Sequence, residues 1–140
     1  CRPMAAVHEY FEHGADIGVV GRGASIEQAF AGAAASMFAI MVDPAAVRPR
    51  VRVGVDFDED DVELALVRWL NGLLAESRER GIVLCSFELR RDGDHWHGVA
   101  GGEPWRDAHE RGTEVKGATL TALSVRPDDG GWQARCVVDV

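Results

Sequence analysis

The sequence predicts an α+β fold: a mixed or antiparallel sheet, built largely from hairpins, with two helices packed on one of its faces. Two long segments repeat apolar residues at the spacing of amphipathic helices, and shorter segments alternate apolar and polar residues as half-buried strands do. Turn signals rich in aspartate and glycine divide the C-terminal half into hairpins. Strands and helices followed by a run of hairpins are typical of the α+β class.

The first predicted elements are two strands and a helix. Residues 9–12 and 17–22 have the pattern of strands, with Asp16 between them. The segment S-I-E-Q has the spacing of a capping box, so a helix should begin after Ser25. We expect this helix to end at residues 43–44, because the residue before a proline is driven out of the helical region.

An alternating strand over residues 47–57 and a second helix over residues 61–80 come next. The acidic run at residues 58–61 lacks the ligand spacing of an EF-hand and should instead stabilise the positive N-terminus of this helix. Gly81 stands where a helix C-cap belongs, and Gly72 inside the helix predicts a close packing contact.

The rest of the chain predicts two hairpins separated by a polar loop. The first hairpin should turn at an Asp-Gly signal and the second at an Asp-Asp-Gly-Gly signal. The expected ranges are strands 82–90 and 96–100 with a turn at 91–94, a loop at 101–112, and strands 113–125 and 132–138 with a turn at 128–131.

Composition is that of an ordinary globular domain. Of the 140 residues, 46% are hydrophobic and 27% are charged, which is enough for one domain with a normal core. We expect that domain to span residues 4–140, with Met4 as the natural start and residues 1–3 as a non-native or upstream remnant. No apolar run approaches the ~18 residues of a membrane helix, so no association with a membrane is expected.

Charge and cysteine content narrow the function classes. A net charge of −8 provides no excess of cations to neutralise phosphates, which argues against autonomous nucleic-acid binding. Cys1, Cys85 and Cys136 are odd in number and lack C-x-x-C spacing, which fits reduced thiols in a cytoplasmic protein. Lys116 is the single lysine among 15 lysines and arginines, which suggests a need for a compact ammonium group, although chance also explains it.

The histidines suggest two kinds of site. His95 and His97 place two imidazoles on one face of a strand, and zinc favours such nitrogens. His109 follows in the loop, but no third ligand has the spacing of a zinc motif, so a zinc site is the less favoured interpretation. His8 and His13 flank the first predicted strand, and either is a candidate general base near Asp16, although a surface or hydrogen-bonded histidine is the commoner outcome.

Asp16, Asp139 and Val140 suggest an oxygen-rich cation site. If the last strand pairs beside the first strands, two acids and the main-chain carboxylate of Val140 meet, with Lys116 nearby. Negative charges at such short distance need a cation or a lysine to compensate them. Ligation by oxygen atoms alone suits Ca²⁺, Mg²⁺ or Mn²⁺. Spacing alone favours the plainer interpretation, in which Asp16 is a turn acid and Asp139 a solvent-facing strand end.

Motifs of an independent enzyme are missing, whereas a different set of motifs runs along the chain. The sequence has no nucleophile elbow, phosphate-binding loop or dinucleotide-binding fingerprint. It does contain H-x-A-D-I-G, S-I-E-Q-A-F, M-V-D-P, W-L-N, G-T-E-V-K-x-x-T and a terminal D-V, in that order between His8 and Val140. With these motifs the chain resembles the archease family.

The resemblance implies an accessory protein and not an enzyme. Archeases are metal-binding proteins that act on the RtcB-type RNA ligase of tRNA splicing and RNA repair, and they promote its guanylylation and multiple turnover. By resemblance the metal ligands would be Asp16, Asp139 and Val140, with Ca²⁺ the first expectation and Mg²⁺ or Mn²⁺ the alternatives. Lys116 would be a further functional residue, with no catalytic residue of the chain's own.

Three positions depart from the family pattern. The family usually has threonine at Gly14, glutamate at Gly72 and histidine at Thr121. Ligation by the two aspartates is unaffected, but Gly14 lacks a hydroxyl that would orient Asp16, and the role of a histidine at position 121 is in doubt.

Two function classes remain as alternatives to a ligase activator. One is a stand-alone metal-dependent phosphoesterase that uses His13 as its base. The other is a general chaperone or binding module, which would need an exposed apolar patch.

Overall fold

The computed structural model of the protein describes residues 8–140, so the expectations for Met4 and residues 1–3 lie outside the described residues. Within this range eight strands and two α-helices follow one another. In chain order they are β1 (Glu9–His13), β2 (Asp16–Gly23), α1 (Ile26–Met41), β3 (Val51–Asp58), α2 (Val62–Arg80), β4 (Ile82–Asp92), β5 (His95–Pro104), β6 (Gly117–Ala118), β7 (Ser124–Asp128) and β8 (Gly131–Asp139).

The strands form two sheets. The larger has the order β1-β2-β8-β6, with β7 also paired to β8, and the smaller has the order β3-β5-β4. All strand pairs among residues 8–140 are antiparallel. Both helices contact strands of both sheets. The predicted α+β class, with antiparallel hairpins and two helices, is confirmed, and its strands are divided between two sheets.

Helix α1 begins as its capping box predicts. The Gln28 N–H donates to Ser25 Oγ at 3.2 Å, and Gln28 Oε1 accepts from the Ala24 N–H at 2.9 Å. Small residues then bring the helix against β2, since a Cβ on Gly21 would lie 2.0 Å from the Ala29 carbonyl oxygen. This close contact fixes β2, and with it the first residue of that strand, against the helix.

Helix α2 has the predicted ends. Asp61 Oδ1 accepts from two main-chain N–H groups of the first turn at 2.9 and 3.1 Å, and Gly81 ends the helix with φ +64°. The close contact expected at Gly72 is also present, because a Cβ there would lie 2.7 Å from Val55 Cγ1. A glutamate at this position would require the Val55 side chain to shift.

Three buried aromatic side chains join the helices to the smaller sheet. Phe30 of α1 stacks on Trp96 of β5 with ring centroids 5.2 Å apart, and Trp69 Nε1 of α2 donates to the Phe30 carbonyl oxygen at 3.0 Å. All three side chains are 0% exposed. The indole nitrogen of Trp69 therefore keeps a partner although the ring is removed from water, as a buried donor requires.

The strand expected over residues 47–57 begins later, at Val51. Pro44–Ala46 form a short 3-10 turn, and Val47 is fully buried in a small cluster apart from the main core. Val47 is therefore an anchor of the connection and not a strand residue. Pro49, which has no N–H for a strand ladder, separates it from β3.

The loop expected over residues 101–112 is shorter, because β5 continues to Pro104. A Cβ on Gly102 would lie 1.9 Å from the Val83 carbonyl oxygen of β4, so the strands approach more closely here than a side chain allows. The glycines that indicated a loop in the sequence mark a close strand contact instead.

The strand expected over residues 113–125 is interrupted. Within residues 113–128, only Gly117–Ala118 and Ser124–Asp128 form strands paired with β8, and Ala122 between them has φ +52°. A non-glycine residue in this left-handed region marks a turn, so β7 and β8 alone form the second hairpin. That hairpin turns at residues 128–131 as predicted, with two successive positive φ angles.

Candidate metal centre

One end of the larger sheet brings together the residues expected to bind a cation. β2 begins at Asp16 and β8 ends at Asp139. The register pairs Ile17 with Val138, so Asp16 and Asp139 occupy the next opposed position. The Val140 N–H donates to Asp16 Oδ1 at 3.3 Å. The prediction depended on the last strand lying beside the first strands, and β8 does pair with β2.

Lys116 reaches the same end of the sheet through its main chain. Its N–H donates to the Asp139 carbonyl oxygen at 2.8 Å, and the next residue, Gly117, pairs with Asp139. The Lys116 side chain is exposed, and its ammonium group has no ion-pair partner within residues 8–140. The lysine therefore does not compensate the two acids directly.

Helix α2 holds the Lys116 segment with two side chains. Asn71 Nδ2 donates to the Ala118 carbonyl oxygen at 3.2 Å, and Asn71 Oδ1 accepts from the Ala118 N–H at 2.8 Å. Arg78 Nη2 donates to the carbonyl oxygens of Val115 and Lys116, each at 2.7 Å. Sequence reasoning missed both roles. The one available signal was an asparagine among the buried leucines of an amphipathic helix, which needs a polar partner.

The donor atoms at this end suit a hard divalent cation. Asp139 is exposed, and its carboxylate has no hydrogen bond or ion pair within the described part of the chain. Asp16 uses one oxygen for the Val140 N–H and keeps the other. Together with the main-chain oxygens of Val140, these are ligands that Ca²⁺, Mg²⁺ and Mn²⁺ prefer. The residues present therefore fit such a cation.

The centre is open and not a closed cage. Only two carboxylate side chains contribute, and among residues 8–140 no group of three or more His, Cys, Asp or Glu is arranged to hold a metal. Asp16 and Val140 are half-buried, whereas Asp139 and Lys116 are exposed. A cation held by so few protein oxygens completes its coordination with water or with the groups of a partner.

The turn before Asp16 explains why glycine is suitable at position 14. Gly14 has φ +61°, which a β-branched threonine adopts only under strain. His13, on the other side of this turn, pairs with Asp16 across the two strands and is exposed. Thr121 is held at the same end of the sheet through its carbonyl oxygen, which accepts from the Val137 N–H at 3.0 Å.

His109 belongs to a buried hydrogen-bonded cluster around the carboxylate of Glu103. Glu103 is 1% exposed and accepts from the Arg48 N–H at 2.7 Å and from the Arg106 guanidinium at 3.1 and 3.3 Å. These donors lower the pKa of Glu103 to about 2. His109 Nε2 lies 3.2 Å from Glu103, and its Nδ1 accepts from the Arg106 N–H. Both imidazole nitrogens are occupied, so His109 cannot join His95 in a metal site.

A cleft of about 510 Å³ lies beside the Lys116 segment. Residues 112–115 line it on one side, and the Arg111 guanidinium, which lies 3.8 Å above the Trp105 ring, lines it on another. Asp16 and Asp139 are not part of the cleft. The candidate metal centre is therefore separate from this cleft, at the end of the larger sheet.

Comparison with known proteins assigns the chain to a family. The family model of the archease protein family (MTH1598/TM1083) matches residues 8–140. The chain belongs to the archease family. The archeases of Sulfolobus acidocaldarius and Saccharolobus solfataricus are 33% and 35% identical to it over 135 residues, which cover 94% of this chain and 97% of each relative. The solution structure of Methanobacterium thermoautotrophicum protein 1598 matches with a TM-score of 0.83 and 31% identity, over 95% of this chain and 98% of that chain.

Archease membership confirms the resemblance and the fold expected from it, and it supports the role of an accessory protein. Neither helix of the described chain is long and apolar enough to span a membrane. The ligand set of Asp16, Asp139 and Val140, and the role of Lys116, stay predictions.

Proposed function

We propose that this chain is a metal-binding activator of an RtcB-type RNA ligase that promotes ligase guanylylation and multiple turnover in tRNA splicing and RNA repair. The observation that carries the proposal is the set of uncompensated oxygen donors at one exposed sheet end of an archease. Asp16, Asp139 and Val140 are adjacent there, and no cationic side chain among residues 8–140 pairs with either aspartate.

The residues at this end of the sheet would have different roles in binding the cation and in presenting Lys116. Asp16 and Asp139 would hold the cation through carboxylate oxygens, and Val140 would add a main-chain oxygen. Asn71 and Arg78 fix the Lys116 segment against the last strand, so the Lys116 ammonium group is presented from a rigid support. When bound, the cation would supply positive charge that offsets the negative charge on a phosphate group under nucleophilic attack.

The net charge of the chain favours a protein partner with a basic active site. With −8 overall, the chain is repelled by free RNA and attracted to a surface that handles phosphates. An exposed acidic end that carries a divalent cation can approach such a surface, because the chain as a whole stays acidic while the cation offsets the local negative charge beside the phosphate groups held there. The partner then supplies the remaining ligands of an open centre.

A ligation time course with limiting chain tests the proposal. The wild-type chain should convert a stoichiometric reaction of the RtcB-type ligase into one with many turnovers, and Asp16→Ala or Asp139→Ala should abolish the gain. Asp107→Ala, which removes an exposed carboxylate in a loop, is the matched control and should activate normally. Equal activation by all variants would contradict the proposed site, and no activation by wild type would contradict the proposed function.

A phosphoesterase is the second candidate, because His13 pairs with Asp16 across β1 and β2. In that case the isolated chain, supplied with Mn²⁺, should hydrolyse a 2′,3′-cyclic phosphate without any ligase. We expect no hydrolysis above the metal-only rate. A rate that falls with His13→Gln would favour the esterase.

A further inference from the structure

The solvent face of the smaller sheet carries a second group of metal-ligating side chains. On this sheet β5 lies between β3 and β4, and the register places Asp56 opposite His97 and Asp58 opposite His95. Trp96, between the two histidines, points the other way into the core. Both histidines and both aspartates therefore share the outer face, where His95 and His97 are 50% and 41% exposed.

The two aspartates engage both histidines. His95 Nδ1 lies 2.9 Å from Asp58 Oδ1, and His95 Nε2 lies 3.7 Å from Asp56 Oδ1. His97 Nδ1 is hydrogen-bonded to the same Asp56 oxygen. Asp56 Oδ1, His95 Nε2 and His97 Nδ1 thus face one another, with Asp58 on the far nitrogen of His95.

A cation at His95 Nε2 would improve the charge balance of this cluster. A neutral imidazole carries one N–H, so His95 can donate to Asp58 or to Asp56 but not to both. With Nδ1–H given to Asp58, the lone pair of His95 Nε2 faces a carboxylate oxygen, which is repulsive. Either a proton or a metal ion bound at His95 Nε2 removes the conflict.

The donor atoms favour a metal of the zinc type. Imidazole nitrogens with one carboxylate oxygen suit Zn²⁺ and also Ni²⁺ or Cu²⁺, in contrast to the all-oxygen centre of the larger sheet. Ligands of a tetrahedral zinc stand about 3.3 Å apart, so the 3.7 Å between His95 Nε2 and Asp56 Oδ1 is within reach of a small side-chain adjustment. Asp58 on His95 Nδ1 stands where an orienting carboxylate fixes a metal-bound imidazole.

We propose that Asp56, His95 and His97 form a binding site for a divalent metal of the zinc type, with Asp58 orienting His95. The site is not preformed as a cage, since the described residues contain no group of three or more such side chains arranged around a metal. Binding must open the Asp56–His97 hydrogen bond, so the affinity is moderate and falls as protons compete at low pH. Sequence reasoning missed the third ligand because Asp56 is close only across the β3–β5 register.

Zinc titration by calorimetry, on the chain without a histidine tag, tests the proposal. Wild type should bind one Zn²⁺, and His95→Gln, His97→Gln or Asp56→Asn should weaken binding at least tenfold. Asp58→Asn, which keeps all three ligands, should weaken it by roughly tenfold, the loss typical of an orienting carboxylate. All four side chains are exposed, and circular dichroism confirms that each variant remains folded.

Two controls separate this site from the other candidate centre and from simple protonation. The double variant Asp16→Ala/Asp139→Ala should bind Zn²⁺ as wild type does, whereas loss of zinc binding in it would assign the metal to the larger sheet and overturn the proposal. In NMR spectra Zn²⁺ should shift the ring signals of His95 and His97 and leave those of the buried His109 unchanged. Rings that titrate with pH but do not respond to Zn²⁺ would show a proton alone at this position, which also overturns it.

Discussion

The carboxylate of Glu103 differs from those of Asp16 and Asp139 in its burial and in the number of hydrogen bonds that it accepts. Glu103 is 1% exposed and is surrounded by donors from Arg48, Arg106 and His109. Asp139 is exposed without a partner in residues 8–140, and Asp16 receives a single N–H. A carboxylate that stabilises the fold is fully hydrogen-bonded, whereas carboxylates with free oxygens remain available to an external cation.

The largest loss of thermal stability should come from replacing Glu103, the carboxylate whose oxygens are all hydrogen-bonded. Glu103→Gln replaces a charged acceptor by a neutral amide, which weakens the bonds from Arg48 and Arg106 and places an NH2 group, itself a donor, against one set of these donors. We expect the melting temperature to fall by several degrees, more than for any other variant considered, with cation binding unchanged. Glu9→Gln, which weakens an exposed pair with Arg22, is the control and should have a small effect.

The pH dependence of stability provides a second test of the Glu103 cluster. Its folded-state pKa of about 2 lies below the usual value of 4.5, so its contribution to the free energy of unfolding is present above pH 4.5 and is lost as the pH falls toward 2. Urea unfolding between pH 6 and 2 should show this loss in wild type and a shallower one in Glu103→Gln. Parallel curves for the two proteins would contradict the assignment.

Replacing Asp16 or Asp139 should affect cation binding and leave the stability of the metal-free protein nearly unchanged. Asp16→Asn or Asp139→Asn should leave the melting temperature without metal nearly unchanged, because no ion pair within the described chain is broken. Saturating Ca²⁺ or Mn²⁺ should stabilise wild type, by about 2.7 kcal/mol at a hundredfold excess over Kd, and neither variant should respond. Thermal melts with and without cation measure this, and an equal rise in all three proteins would rule out the proposed ligands.

A smaller effect on stability and on cation affinity is expected from replacing Asn71, through which helix α2 holds the Lys116 segment beside the candidate metal centre. Asn71→Ala removes two hydrogen bonds to Ala118, which should cost about 1–2 kcal/mol of stability and weaken Ca²⁺ or Mn²⁺ binding several-fold. Arg80→Ala on the same helix removes only an exposed pair with Glu76 and should leave binding unchanged. If Asn71→Ala lowers stability but not cation affinity, Asn71 supports the fold alone.

Local chemistry determined which features the sequence could predict. The capping groups at Ser25 and Gly81 act within one helical turn, so their roles were predicted correctly. The acidic run at residues 58–61 was expected at the N-terminus of α2, where Asp61 is the N-cap. The approach of Asp16 to Asp139 depends on the pairing of β2 with the last strand, β8, which was assumed as a condition in the sequence analysis. The Glu103 cluster was not predicted, because its partners come from separate segments that only the tertiary fold brings together.

The glycines at the end of β5 were misread as part of a loop, for a related physical reason. Gly102 permits a strand contact that a Cβ would block, yet in the sequence it has the same meaning as a loop glycine. The interruption at residues 119–123 was missed because its left-handed residue is Ala122, which carries no turn signal. Conformations that depend on a neighbour's position cannot be inferred from residue type alone.

The smallest structural change with an expected functional effect is Lys116→Arg. The Lys116 side chain is exposed and has no ion-pair partner within residues 8–140, so the variant should keep the melting temperature and the cation affinity of wild type. Its main-chain bond to Asp139 does not depend on the side chain. If a compact ammonium group is needed beside the cation, the planar, wider guanidinium should lower ligase activation several-fold although the charge is kept. Initial rates with limiting chain measure this, with Arg126→Lys as the reverse exchange at an exposed position. Normal activation by Lys116→Arg would mean that charge alone matters there, and that the single lysine is an accident of composition.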